Sequence, residues 1–117
     1  MPKKLPVKWM SLEAILNKQF SEKSDVWSFG VMMYEVFSFG QMPYKNVALN
    51  DMLEFLNSGE RLACPEAANE EIYGVMLQCW KENPEERLNF EKVVNKLRSF
   101  LNTSTEAYGY LETKEDN

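Results

Sequence analysis

One acidic residue stands out in this sequence because the residues that follow it are almost all apolar. Asp25 is the second residue of the run SDVWSFGVMMYE at 24–35, which leaves little surface for water. If that carboxylate is buried, it is stable only when hydrogen-bond donors satisfy it. Asp25 is therefore a candidate functional residue, and its role depends on what the apolar segment packs against.

The composition excludes several kinds of chemistry. The 117 residues contain no histidine, which removes the imidazole of hydrolase triads and of most zinc sites. The two cysteines, Cys64 and Cys79, lack the spacing of a metal site or a disulfide framework, and we expect reduced, buried side chains. With 13 basic and 18 acidic residues, the formal charge of −5 argues against nucleic-acid binding. The sequence suggests no catalytic residue and no metal ligand.

The hydrophobic periodicity predicts four helices joined by loops. The main helix is expected to begin with Ser24 as its N-cap and to stop near Gly40, with apolar residues on most of its sides. Apolar residues at three- and four-residue spacing within 49–56 predict a second helix. Asn69 and Asn89 are the predicted N-caps of the last two helices.

The two ends of the chain differ from its middle. Pro6 restricts its own backbone and that of the preceding residue, so residues 5–9 are predicted to form a loop or a short edge segment. A short helical turn is expected around Leu12 to Leu16. From Asn102 onward the sequence is polar and acidic without periodicity. We therefore expect one helical domain at 1–101 and a flexible acidic tail at 102–117. No window reaches the ~20 apolar residues of a membrane span, so no membrane contact is expected from this segment.

Several motifs, taken in order, resemble those of the protein tyrosine kinases. They are LPVKWMSLE at 5–13, KSDVWSFG at 23–30, PY at 43–44, CW at 79–80 and the single residue Arg87. The resemblance runs from Leu5 to about Leu101. It implies the second half of the large lobe of a kinase domain, from the end of the activation segment through four helices. The predicted fold class is thus all-α, as the helical half of a kinase large lobe.

The growth-factor receptor kinases are the most similar group by these motifs. FSFG at 37–40, GER at 59–61 and the segment 65–73 resemble the receptors for platelet-derived and vascular endothelial growth factors. SLE at 11–13 is closer to the epidermal growth factor receptor group, and cytoplasmic kinases of the Syk kind share features of 34–44. A cytoplasmic enzyme and the intracellular part of a membrane receptor both fit, so the expected location is cytoplasmic in either case.

The resemblance implies roles for individual residues. Pro6, Val7, Lys8 and Trp9 correspond to the wall that receives the residues after the target tyrosine of a protein or peptide substrate. Asp25 corresponds to the acid that accepts hydrogen bonds from the backbone of the catalytic loop. The apolar helix that follows Asp25 corresponds to the central helix on which both halves of the large lobe are built.

A second implied feature is structural. Glu13 and Arg87 correspond to a buried ion pair that ties the activation segment to the bottom of the lobe. Leu12 and Leu88 stand where the family usually has proline. Both differences bear on loop rigidity, because proline restricts the unfolded chain.

Two tyrosines lie in the predicted tail. Tyr108 and Tyr110 have an acidic context, which suits phosphorylation and capture by a phosphotyrosine-binding module. A tail that is never modified is the alternative reading.

The motifs that transfer phosphate do not occur in the sequence. Kinases need a glycine-rich loop, a catalytic aspartate and a metal-binding aspartate, yet G-x-G-x-x-G, H-R-D and D-F-G are all absent. The resemblance therefore implies the carboxyl-terminal part of a tyrosine kinase whose whole domain uses ATP and Mg²⁺. Alone, the chain is expected to bind no cofactor, to transfer no phosphate and to need the remainder of a kinase domain as its partner. The alternatives are a non-catalytic binding module that uses the groove at 6–9, or a helical module whose tail tyrosines are another kinase's substrates.

Overall fold

A computed structural model describes residues 6–108, and it describes side chains as far as Asn102. Within that range all regular elements are helical, which confirms the predicted fold class. The helices are α1 (Leu12–Asn17), α2 (Glu22–Phe37), α3 (Met52–Asn57), α4 (Glu70–Cys79) and α5 (Phe90–Tyr108). Three short 3-10 turns, Val7–Trp9, Leu49–Asp51 and Pro84–Glu86, lie in the connecting segments.

The start of α2 differs from the sequence prediction. Ser21, not Ser24, is the N-cap, and its hydroxyl accepts a hydrogen bond from the backbone of Lys23 at 3.1 Å. Ser24 lies one turn into the helix, where its hydroxyl accepts from the backbone N–H of Ser21 at 2.7 Å. The two serines thus form a reciprocal cap, which satisfies donors that a helix end leaves unpaired. At the other end, α2 stops at Phe37 and Gly40 adopts a left-handed φ of 86°.

The predicted caps of the last two helices are confirmed. Asn69 Oδ1 accepts from the backbone of Ile72 at 2.8 Å, and Asn89 Oδ1 accepts from the backbone of Lys92 at 2.8 Å. Each side chain satisfies a backbone donor of the first turn.

The last helix is longer than the sequence predicted. We expected the helical domain to end at Leu101, whereas α5 continues to Tyr108. Residues 102–108 contain neither glycine nor proline, so nothing in them terminates a helix. Whether 109–117 form a flexible tail stays a prediction, because they lie outside the described residues.

The core forms where α2 crosses α4. Trp27 of α2 and Trp80 after α4 have 0% and 1% of their surface exposed. Gly30 allows this close approach, since a Cβ there would lie 2.7 Å from Trp80 Nε1 and 2.9 Å from Cys79 Cβ. A substitution at Gly30 would therefore push the two helices apart.

One side of α2 remains uncovered within the described residues. Met32 and Val36 keep 53% and 69% of their surface exposed. They border a groove of about 240 Å³ between α2 and α5. Its lining is apolar throughout: Phe29, Met32, Met33, Val36, Phe37, Leu97, Phe100 and Leu101. The expectation that α2 is buried on most sides therefore holds for its α4-facing surface and not for this one.

The two cysteines lie in different environments. Cys79 is buried, and burial raises the pKa of its thiol to about 12, so the thiol stays protonated near neutral pH. Cys64 is exposed in the loop between α3 and α4, so the prediction that it is buried was wrong. Its position beside Pro65 in an irregular segment places it outside the helical packing that buries Cys79.

None of the helices in the described range combines the length and hydropathy required to cross a membrane.

Candidate functional site: an open groove, a buried ion pair and an exposed acid

The residues predicted to receive a substrate lie together on one short turn. The backbone N–H of Trp9 donates to the carbonyl of Pro6 at 2.8 Å, which closes the Val7–Trp9 turn. The side chains of this turn form one wall of an open groove of about 310 Å³. The groove is lined by Pro6, Val7, Lys8, Trp9, Met42 and Leu49.

Met42 and Leu49 form the second wall, and the sequence interpretation missed them. They keep 53% and 62% of their surface exposed. The sequence signal that could have indicated them is their position on either side of the Pro43-Tyr44 turn, which packs into the core. The groove is therefore open and mostly apolar, with Lys8 as the charged residue of its lining.

Three hydrogen bonds hold the turn in place. Lys8 Nζ donates to the backbone carbonyl of Tyr44 at 2.9 Å. Ser28 Oγ donates to the carbonyl of Trp9 at 2.6 Å, and Trp9 Nε1 donates to Glu35 Oε1 at 3.0 Å. Lys8 is therefore engaged in fixing the turn, and α2 supports the turn from behind.

The structure brings Glu13 and Arg87 together across 74 positions of sequence. Arg87 Nη1 donates to Glu13 Oε2 at 2.8 Å and Arg87 Nη2 donates to Glu13 Oε1 at 2.7 Å. The arginine side chain is completely buried, and the glutamate keeps 13% of its side-chain surface. Burial alone would raise the pKa of the Glu13 carboxyl, but the hydrogen bonds and charge of Arg87 outweigh it and lower the pKa below 4.5.

Arg87 also donates to three backbone carbonyls, which belong to two segments of the chain. Its guanidinium donates to Lys81 at 2.7 Å, to Lys23 at 3.1 Å and to Glu82 at 3.2 Å. It lies 4.9 Å from the ring centre of Trp27, within cation–π range. All five N–H donors of a guanidinium are therefore placed near acceptors, so lysine would be a poor substitute.

Trp27 contacts a second guanidinium. Arg61 lies 5.0 Å from the same ring centre and donates through Nε to the carbonyl of Trp80 at 2.8 Å. Burial lowers the pKa of Arg61 from its ordinary value. Neither the role of Arg61 nor that of Lys23, which donates to the carbonyls of Pro84 and Arg87, was found from the sequence.

Asp25 lies at the exposed first turn of α2. Among the described residues, no side chain or backbone donor is hydrogen-bonded to its carboxylate. A negative charge at this position of a helix is favoured by the helix dipole. Within the described residues, no hydrogen bond joins the Asp25 side chain to the groove at 6–9. Asp25 and the groove are therefore treated as separate features.

The described residues do not suit a nucleotide or a metal ion. Between residues 6 and 102 no three side chains of the His, Cys, Asp and Glu types lie close enough to hold a metal. The glycines at 30, 40, 59, 74 and 109 are too scattered for a phosphate-binding loop. Of the tail tyrosines, Tyr108 ends α5 with an undescribed side chain, and Tyr110 lies outside the described residues.

Comparison with known proteins identifies the family. Residues 1–97 match the model of the protein tyrosine and serine/threonine kinase family. The chain is 45% identical to vascular endothelial growth factor receptor 1 of Gallus gallus over 91% of its length, and 45% identical to a fibroblast growth factor receptor of Halocynthia roretzi over 89%. It is 41% identical to tyrosine-protein kinase SRK3 of Spongilla lacustris over 88%.

The chain spans only part of each relative. It covers 8% of the length of the chicken receptor, 14% of the Halocynthia receptor and 31% of the Spongilla kinase. The family match spans the motifs and helices α1 to α4, and it ends within α5. The chain belongs to the protein kinase family, as part of a tyrosine kinase domain similar to those of the receptor tyrosine kinases.

Proposed function

We propose that the chain is the carboxyl-terminal part of a kinase large lobe, and that the whole domain transfers phosphate from ATP to tyrosine in proteins. The open apolar groove at 6–9 is the observation that carries the proposal. In this assignment the residues after the target tyrosine pack against a wall formed by Pro6, Val7, Lys8 and Trp9. The fixed turn offers them a rigid surface, which lowers the entropic cost of ordering a peptide.

The remainder of the kinase domain is the principal proposed partner. The exposed carboxylate of Asp25 would accept hydrogen bonds from the backbone of the catalytic loop. The apolar groove between α2 and α5 supports this assignment, because an uncovered apolar face of this kind is typical of an interaction surface. The ATP and Mg²⁺ sites would lie in that remainder, since the described residues suit neither group.

The buried pair of Glu13 and Arg87 has a supporting role in this proposal. It holds the segment that begins at the groove against the turn after α4. An intact bidentate pair would therefore keep the substrate wall in register with the helices. The tail tyrosines Tyr108 and Tyr110 are proposed sites of phosphorylation, recognised when modified by phosphotyrosine-binding modules.

We place the domain on the cytoplasmic side, either as part of a soluble enzyme or as the intracellular part of a receptor. The similarity to growth-factor receptors supports the second of these settings.

The first experiment compares the chain with the complete domain that would contain it. Purified chain, mixed with ATP, Mg²⁺ and a tyrosine peptide, is expected to give no more phosphopeptide than a heat-treated sample, since it lacks the transfer motifs. The same chain preceded by its own H-R-D and D-F-G segments is expected to phosphorylate the peptide. Turnover by the chain alone, or a transcript without those segments upstream, would contradict the proposal.

A non-catalytic binding module is the second candidate, and the exposure of Met42 and Leu49 favours it. Such a module would bind a tyrosine peptide in the groove without any further protein. Peptide binding by the chain alone, together with an upstream stop codon in the transcript, would support this candidate over the first.

A further inference from the structure

Two polar side chains of α2 form hydrogen bonds with Trp9. Ser28 and Glu35 are seven residues apart, so they lie on one face of α2 two turns apart. Ser28 Oγ donates to the backbone carbonyl of Trp9 at 2.6 Å, whereas Glu35 Oε1 accepts from the indole N–H of Trp9 at 3.0 Å. Ser28 therefore fixes the backbone of the turn, and Glu35 fixes the direction of the ring.

The ring direction matters because Trp9 lines the groove. Trp9 and Lys8 are only partly buried, and Lys8 is held from the other side by its bond to the carbonyl of Tyr44. Without Glu35, the bonds of Ser28 and Lys8 would still hold the turn, but the indole would lose its hydrogen bond to the carboxylate and with it one restraint on its orientation. A hydrogen bond from an N–H to a carboxylate is stronger than one to a neutral acceptor.

We propose that Glu35 is a positioning residue for the peptide groove, which acts through the indole of Trp9 without contacting the substrate. This inference rests on the proposed function, because it assigns Glu35 to the same groove. Among the described residues, Glu35 is the acceptor that the structure gives to this indole N–H.

The contact itself is tested in the chain by acrylamide quenching of tryptophan fluorescence. Trp27 and Trp80 are buried, so quenching in the native chain reports chiefly on Trp9. Glu35→Leu is expected to raise the quenching constant, and Glu35→Gln, which keeps a side-chain oxygen as acceptor, is expected to leave it near the native value. In a Trp9→Phe background Glu35→Leu should change nothing. Equal quenching in Glu35→Leu and the native chain would overturn the inference.

The consequence for the groove is tested in the complete domain. The probe is a synthetic copolymer of glutamate, alanine and tyrosine. Glu35→Leu is expected to raise KM for the copolymer about tenfold, because the freed indole must be ordered when the peptide binds, with kcat and KM for ATP unchanged. Glu35→Gln should stay within about threefold of native, as should Glu91→Leu, which replaces an exposed glutamate of α5. A lower kcat with unchanged KM would overturn the inference.

Failure of the proposed function and failure of the inference about Glu35 give different results. If the complete domain transfers no phosphate at all, the proposed function has failed. The inference is then decided by the affinity of the same domain for the copolymer, measured directly. A Glu35→Leu domain that binds as tightly as the native one would overturn it, and a tenfold weaker affinity restored by Glu35→Gln would support it.

Discussion

Replacing Arg87 with leucine is expected to lower the free energy of unfolding by about 3–5 kcal/mol, because one charge of a buried ion pair loses its partner. The Arg87 side chain is fully buried and makes a bidentate contact with Glu13. The substitution also removes the donors that satisfy the carbonyls of Lys23, Lys81 and Glu82. Three segments of the chain would therefore lose their common anchor.

The measurement is urea unfolding of the chain, followed by far-ultraviolet circular dichroism. Arg87→Lys is a milder substitution, because lysine keeps the positive charge but cannot make the bidentate contact. Its free energy of unfolding remains measurable if Arg87→Leu does not fold. Arg98→Leu is the matched control, because Arg98 is exposed on α5 and should change stability by no more than about 0.5 kcal/mol. Equal stability of Arg87→Leu and Arg98→Leu would show that the pair contributes nothing.

The same pair predicts a pH dependence. The pKa of Glu13 is lower in the folded chain than its ordinary value of 4.5, so the unfolded chain binds more protons between those two values. The stabilisation is therefore complete above about pH 4.5 and is lost as the pH falls through the folded pKa. The difference in unfolding free energy between the native chain and Glu13→Gln should shrink as the pH is lowered from 6 to 3. A difference that stays constant would contradict this.

Replacing Asp25 with asparagine is expected to lower kcat of the complete domain at least about 100-fold, while leaving the fold of this chain intact. The carboxylate can accept from several backbone donors at once, and a charged acceptor makes each bond stronger. An amide offers one oxygen and no charge, so the catalytic loop would lose its fixed position. A catalytic group that is misplaced by about 1 Å can lower the reaction rate about 100-fold.

The controls separate this effect from a loss of stability. In the chain alone, Asp25→Asn is expected to change the free energy of unfolding by no more than about 1 kcal/mol, because Asp25 is exposed and only the helix dipole favours it. Asp51→Asn, which alters another exposed aspartate next to a helix start, should leave kcat unchanged. Native kcat in the Asp25→Asn domain would remove Asp25 from its proposed role.

Local signals in the sequence predicted much of the fold. The caps at Asn69 and Asn89 were predicted correctly because an asparagine side chain satisfies a helix end using only its near neighbours. The start of α2 was misplaced because Ser21 and Ser24 both have cap chemistry, and the reciprocal bond between them appears only once the backbone is folded. The continuation of α5 to Tyr108 was missed because polar composition was taken for disorder.

The candidate site was less accessible to local reasoning. Composition and spacing would have assigned Glu13 and Arg87 to the surface, since nothing local links residues 74 positions apart, and only the family resemblance paired them. Met42 and Leu49 were missed because an exposed apolar side chain has the same sequence pattern as a buried one. Glu35 was missed because its partner lies in another segment, the turn that contains Trp9.

The most direct measurement of the central claim is phosphate transfer by the complete domain to two peptides that differ only in one residue, tyrosine or serine. The groove at 6–9 is proposed to hold the residues that follow a tyrosine. We therefore predict phosphorylation of the tyrosine peptide with ATP and Mg²⁺, and none above background for the serine peptide. No transfer to the tyrosine peptide, or equal transfer to both, would contradict the assignment of this chain to the substrate-binding part of an active tyrosine kinase.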